Sequence, residues 1–286
     1  MRNNKNQKHE RKSLKELTLL DRFLFDTAMS DPKICQNILS IIFNDREIAS
    51  IRVGIAEKTQ EPYYDSRAVR MDLLAIDEDN VIYDAEAQRE NKGKRFLLRR
   101  SRLYQSAIDV NLLEPGELDF GKMNDVYVIF IAPFDLFGKN KYMYTFRMTC
   151  DEVPELPMED GAVRIFLNTH GKNDTEVPPG LVEFLKYVED PVRHEKDIKD
   201  ERVRKLADQI EMLKNSQEVG VKYMRLWEEL DEARREGLEA GAEAERLESI
   251  KKLMETMKWS VEQAMDALKV SEPERQKYMD MIKNNK

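Results

Sequence analysis

An aspartate and a glutamate on neighbouring strands can hold a divalent cation. This chain offers such a pair in Asp72, within Arg70-Met71-Asp72-Leu73-Leu74, and Glu86, within Tyr83-Asp84-Ala85-Glu86-Ala87-Gln88. Both segments alternate apolar and polar residues, the pattern of a half-buried strand. Asp77-Glu78-Asp79-Asn80 between them is a cluster of turn formers that folds the two strands into a hairpin. A three-residue loop, Glu78-Asp79-Asn80, pairs Asp77 with Val81 and sets Asp72 opposite Glu86, where side chains point the same way. A two-residue Asp79-Asn80 loop sets Asp72 opposite Ala87 instead, and the carboxylates diverge. A cation site therefore requires the three-residue loop or a bulge. With that loop, Gln88 joins Glu86 on the shared face by the period of two.

On pattern alone, such a pair is most often two solvated surface groups. The remaining acids here, Asp77, Glu78, Asp79 and Asp84, read as turn and surface charges without a catalytic role. The chain just past the hairpin is basic: Lys92, Lys94, Arg95, Arg99, Arg100 and Arg102 crowd into one short stretch. Such a stretch is ordinarily a solvated helix face, but beside paired carboxylates it suits contact with a phosphate backbone. Magnesium would neutralise a scissile phosphate and supply a nucleophilic water. It needs only one or two carboxylates plus water and substrate oxygens, so Asp72 and Glu86 suffice for one ion.

The elements that must carry these residues read as a mixed α/β sheet with helices on its faces. Leu17, Leu20, Phe23, Leu24 and Ala28 are spaced as a helix that Pro32 closes, and Ile34 to Phe43 forms a second. Ile48 to Ala56 alternates as a strand. Arg95 to Leu113 is a third helix, amphipathic through Phe96 and Arg99 against Leu103, Ala107 and Ile108. Asp125 to Ala132 is apolar on both faces, as a central strand would be. Tyr142 to Thr149 and Val163 to Leu167 add strands, Gly180 to Val188 adds a helix, and the core should end near Glu189.

At 286 residues and 41% hydrophobic content the chain can support a core plus further structure. Residues 1–13 read as a disordered tail, 14–189 as the α/β domain, 190–245 as a helical linker or coiled-coil segment and 246–286 as a small helical unit. Gly237 and Gly241 interrupt the long helical stretch and are expected to bend or break it. In the last unit, Leu247 to Met257, Val261 to Leu268 with Ser260 as N-cap, and Pro273 to Ile282 capped by Ser271 read as three helices. They could form a helix-turn-helix on DNA or a surface for self-association, and the mixed charge of Pro273 to Lys283 favours the latter. Two cysteines and three scattered histidines are too few for a disulfide framework or a zinc cluster. The net charge of −8 argues against a nucleic-acid-coating protein, although charge here is unevenly distributed. No apolar run approaches the roughly eighteen residues of a membrane span, and the polar, basic start is not a signal peptide, so the cytoplasm is the expected compartment.

Taken together, the hairpin, the segment Arg99-Arg100-Ser101-Arg102-Leu103-Tyr104-Gln105-Ser106-Ala107-Ile108-Asp109 and the segment Tyr127-Val128-Ile129-Phe130-Ile131-Ala132-Pro133-Phe134-Asp135 resemble the recombination-promoting nuclease (transposase-like) family of the PD-(D/E)XK nuclease superfamily. The resemblance runs from about Leu17 to Val188 and continues through Ile165-Phe166-Leu167-Asn168. It implies a restriction-endonuclease-like sheet, with Asp72 and Glu86 as catalytic acids and metal ligands. The Ala87 carbonyl would be a further ligand, and Gln88 would stand where many members carry lysine. A neutral amide there can orient a water but supplies no positive charge. Lys92, Arg99 and Arg102 would contact nucleic acid, Lys92 or Arg102 would stabilise developing charge on the phosphate, and Tyr104 and Gln105 resemble positions that face the site. Asp21 would be an outer acid.

The expected function is a magnesium-dependent DNA endonuclease, with manganese as a substitute ion, linked to recombination or mobile elements and assembling as a homo-oligomer through its C-terminal helices. RNA as the substrate uses the same site. The competing expectation is a catalytically inactive nuclease-fold protein acting through its helical tail.

Overall fold

The computed structural model describes residues 12–44, 46, 48–54, 74–113 and 116–284. Cα packing divides the chain into two units, one through Gly220 and one from Val221 onward.

The first unit is built on a six-stranded mixed sheet. Its strands are β1 (Ile51–Gly54), β2 (Leu74–Asp77), β3 (Ile82–Ala87), β4 (Val126–Ala132), β5 (Met143–Phe146) and β6 (Ala162–Asn168), in the order β1-β2-β3-β4-β6-β5. β1, β2 and β3 are antiparallel, β3, β4 and β6 are parallel, and β5 closes the far edge antiparallel to β6. Asp125 to Ala132 is the central strand its composition predicts, with Val128, Ile129, Phe130 and Ile131 all buried.

Leu74 pairs with Asp84, Ala75 with Tyr83 and Ile76 with Ile82, which is the register of the three-residue loop. Asn80 supplies the left-handed residue at φ 61°, a conformation Asn tolerates better than most side chains. The Asp77 N–H donates to the Val81 carbonyl at 3.1 Å. Asp77 is no surface charge, however. It is buried, its Oδ1 accepts the Val81 N–H at 2.8 Å, its Oδ2 accepts the Tyr83 hydroxyl at 2.7 Å, and Arg46 Nη2 lies 3.1 Å from Oδ2. The turn is held from inside, which is why the carboxylate faces inward.

Two helical layers flank the sheet. The first 3₁₀ turn, Leu14–Glu16, is closed by a capping box between Ser13 and Glu16. The chain then runs extended and turns, so the helix expected from Leu17 begins only as α1 (Arg22–Met29), with α2 (Pro32–Ile42) after it. α2 packs on β1, and α1 meets β3. Across the sheet, α3 (Lys94–Asp109) turns Leu97, Ser101, Tyr104 and Ile108 inward. Ala107 and Ile108 are buried as expected, whereas Leu103 is 48% exposed, as is Phe96. The 97/101/104/108 spacing is equally helical, and the sheet face beneath it carries Asp84 and Glu86 between the apolar side chains of Ile82, Val128 and Phe130.

The core does not end near Glu189. After α4 (Pro179–Glu189) and the short α5 (Pro191–His194), α6 (Glu201–Asn215) packs against α2 and α4. Asn37 Nδ2 donates to the Arg202 carbonyl at 2.9 Å and Arg202 Nη1 to the Ser40 carbonyl at 3.0 Å. The break expected at Gly237 and Gly241 is absent as well. α7 runs unbroken from Gln217 to Met257, and the interruption falls at Ser216, whose extended backbone (ψ 128°) ends α6. A glycine costs only about 1 kcal/mol in a helix, and the Glu, Arg, Ala and Leu residues around these two, with ion pairs such as Asp231–Arg235, offset it.

In the second unit, the end of α7, α8 (Val261–Ala267) and α9 (Glu272–Asn284) enclose Ile250, Ala264, Met265, Val270 and Tyr278. Leu247 to Met257 is thus the end of α7 rather than a separate helix. Ser260 caps α8 as expected, in a capping box with Gln263. Among the described residues no helix is long and apolar enough to cross a membrane.

Candidate active site

β3 alternates, so Ile82, Asp84 and Glu86 lie on the face toward α3 while Tyr83 and Ala85 lie on the other. Both carboxylates are buried, Glu86 at 2% exposure, which corrects the reading of Asp84 as a surface charge. Gln88 follows at the strand end, also buried, with its N–H donating to the Ile131 carbonyl of β4 at 2.8 Å.

A residue that sequence reasoning leaves in the general basic stretch organises the site. Arg100, on the second turn of α3, places Nη2 2.5 Å from Glu86 Oε2 and donates through Nη1 to Gln88 Oε1 at 2.8 Å. Its Nε and Nη2 donate to the Tyr104 hydroxyl at 2.7 and 2.5 Å, and the guanidinium carbon stands 4.9 Å from the Tyr104 ring centre and 5.7 Å from that of Phe130. Aromatic faces attract a guanidinium, and a buried carboxylate needs a countercharge. Arg100 answers both. The i, i+4 spacing of Arg100 and Tyr104, one turn apart on the helix that follows the acid, is the signal that could have found it. Burial raises the Tyr104 hydroxyl above the ordinary phenol range, and the Glu86 charge raises it further.

The amide of Gln88 is engaged at both ends, since Nε2 donates to the Glu90 carbonyl at 2.5 Å. In this arrangement it anchors Arg100. Ala87 lies between Glu86 and Gln88 with its side chain on the opposite face. Lys92 is exposed in the loop before α3, 3.4 Å from Glu90, while Arg99 and Arg102 are exposed on the outer side of α3. Gln105 is buried and donates to Asp109 Oδ1 at 3.0 Å. Asp21 accepts the Thr18 N–H at 2.9 Å and pairs with Arg89. Asp72 lies outside the described residues.

Among the described residues no group of three or more His, Cys, Asp or Glu could hold a metal ion. Magnesium asks for fewer, and Asp84 and Glu86, two hard oxygen donors on one strand face, suit it in donor type. Glu86 already has a cation at bonding distance. A larger cavity of about 590 Å³, lined by Arg89, Pro133, Thr169, His170, Glu189 and Arg193 among others, opens beyond the ends of β3, β4 and β6 and does not include Glu86 or Gln88. No family model, curated protein or solved structure matches this chain.

Proposed function

We propose that the Glu86 site hydrolyses phosphodiester bonds in DNA with a divalent metal ion, as an endonuclease of the restriction-endonuclease-like fold linked to recombination or mobile elements. The observation that carries the reading is the buried Glu86, followed two residues later by Gln88, at the end of a strand that is antiparallel to β2 on one side and parallel to β4 on the other. The hairpin register supports it, because β2 and β3 pair as a three-residue loop demands, the loop that the two-carboxylate reading requires. Glu86 and Asp72 would hold magnesium, with Asp84 beside them and the Ala87 carbonyl as a further ligand. Bound there, the ion supplies charge neutralisation and an activated water. Arg99, Arg102 and Lys92 would meet the polymer's phosphates from the exposed side of α3 and the loop before it.

The test is supercoiled plasmid with magnesium. Parent protein should nick or linearise it, and Glu86→Gln and Asp72→Asn, each checked for native circular dichroism, should abolish cleavage. Variants as active as the parent would remove the site. Parallel plasmid, single-stranded DNA and RNA substrates define the preference.

A second reading, an inactive nuclease fold acting through its tail, draws on the Glu86–Arg100 ion pair, which already neutralises the site. It draws also on α9, where Arg275 pairs with Asp266 and Lys277 with Glu243 inside the unit, which lowers the net positive charge that helix offers to DNA. On that reading, removal of residues 221–286 abolishes function while Glu86→Gln leaves it intact.

A further inference from the structure

We infer that copies of this chain associate head to tail, the acidic and apolar end of the sheet in one copy docking on the basic outer face of α3 in the next. The association is independent of the nuclease reading.

The first surface lies at the amino ends of β4 and β6, where residues 117–125 lead into β4 and an arm of residues 147–161 leads into β6. The Val126 N–H donates to the Gly161 carbonyl at 2.9 Å, and Val126 pairs with Ala162. Within the arm Thr149 pairs with Pro157, the Met158 N–H donates to the Met148 carbonyl at 2.9 Å and the Cys150 N–H to the Leu156 carbonyl at 3.1 Å. Opposed residues point the same way, so Met148, Leu156 and Met158 share one face, and each is more than half exposed. Leu118 and Phe120, in the other segment, are 85% and 72% exposed. Single exposed apolar side chains are ordinary, whereas a group of large ones at one end of a sheet marks an interaction surface. The two segments hold eight acidic residues against Lys122 and Arg147, and Asp151, Glu155 and Glu159 make no ion pair among the described residues. Such a surface repels DNA and an anionic membrane alike, so its partner is a protein face that is both basic and apolar.

α3 presents such a face. Arg95, Phe96, Arg99, Arg102 and Leu103 fall on one side of the helix by their spacing and are all exposed. No acidic residue occurs in α3 before Asp109, and the three arginines make no ion pair among the described residues. Because β3 and β4 are parallel, α3 returns the chain from the carboxyl end of one to the amino end of the other. Phe96 is thereby set about 20 Å along the helix from the end that approaches the acidic surface. The two surfaces lie apart on one molecule and join only between copies. Contact between unlike patches is heterologous, so it closes a ring or continues as a chain of copies. Arg99 and Arg102 are also the residues proposed above to meet phosphate, and on that reading DNA and a neighbouring copy exclude one another.

Sedimentation equilibrium of the full-length protein, without DNA, tests the association. At low salt the average mass of the parent should rise with concentration beyond that of one chain, and salt of about 1 M, where the Debye length falls to about 3 Å, should weaken the rise. Two triple variants reverse one surface each: Arg95→Glu with Arg99→Glu and Arg102→Glu, and Asp151→Lys with Glu155→Lys and Glu159→Lys. Alone, each brings like charges together and should associate about tenfold or more weakly than the parent. Mixed in equal amounts they should recover the association, because every acidic surface of the first again has a basic surface of the second to meet. Two solvated faces with no role in assembly would give no such recovery. Should either triple variant lose the native circular dichroism, the single reversals Arg99→Glu and Glu155→Lys replace them with the same expected signs. A parent that stays monomeric at low salt overturns the proposal and leaves the acidic surface to a foreign basic segment. Variants that each associate as well as the parent overturn it by placing the contact elsewhere in the chain, and a mixture no more associated than its separate components overturns the pairing of these two surfaces.

Discussion

Gln88 Oε1 accepts from Arg100 Nη1 at 2.8 Å, joining the end of a central strand to the second turn of the helix that follows it. Glu86 and Tyr104 complete the same cluster, so each of these four side chains is positioned by the others. Replacing one partner of such a network costs more than the bond itself, because it strands a buried polar group.

The clearest stability test of that cost lies at the hairpin. Asp77→Ala deletes the acceptor for the Val81 N–H and the Tyr83 hydroxyl and leaves Arg46 without its buried partner. A loss of about 3 kcal/mol is expected from urea denaturation. Tyr83→Phe should cost roughly 1 kcal/mol.

The buried phenols set an alkaline limit. Burial, ahead of every other cause, raises Tyr83 and Tyr104 above the ordinary value. The fold thus prefers their protonated forms, a preference present in full below a pH of about 10 and lost as pH rises from there toward the folded-state values. Urea midpoints should hold steady from neutrality to about pH 9 and decline beyond about pH 10. Tyr104→Phe should make that decline shallower, and an identical slope would show that its hydroxyl is not involved.

Exposed cations on α3 offer a binding test that does not depend on cleavage. Arg99→Ala and Arg102→Ala should each weaken DNA binding uniformly across sequences and reduce the slope of log affinity against log salt by about 1. Neither side chain is buried, so unchanged thermal stability should accompany the effect.

Gly237 and Gly241 have open space where a side chain would begin. Gly237→Ala and Gly241→Ala should therefore stabilise α7, each by about 0.5–1 kcal/mol, seen as a higher helical melting temperature by circular dichroism.

Legibility from sequence tracks the strength of local constraints. β4 can be read because a run such as Val-Tyr-Val-Ile-Phe-Ile is satisfied only between two covered faces. The hairpin register can be narrowed because Asn80 is the residue that accepts the left-handed position of a three-residue loop. α3 is legible as a helix but not in rotation: stripes through Phe96 and Leu103 or through Leu97 and Tyr104 are equally periodic, and the choice lies with side chains on the sheet beneath. Arg100 disappears into a basic run for that reason, and Asp84 into an acidic one. The end of the first unit is misplaced from sequence because Val203, Leu206 and Ile210 look like any amphipathic helix until α2 is seen to receive them.

β3 ends at Ala87 and α3 begins at Lys94, so one loop of ordinary length joins the strand that carries the acid to the helix that carries the arginine. Their meeting depends on that connection together with the charge pair and the packing of α3 over β4. An insertion anywhere in residues 89–93 would leave sheet and helix individually sound yet let the helix slide, and loss of alignment between Arg100 and Glu86 would precede any loss of folding. Loop length, a quantity that ordinarily drifts freely, is here a determinant of electrostatics.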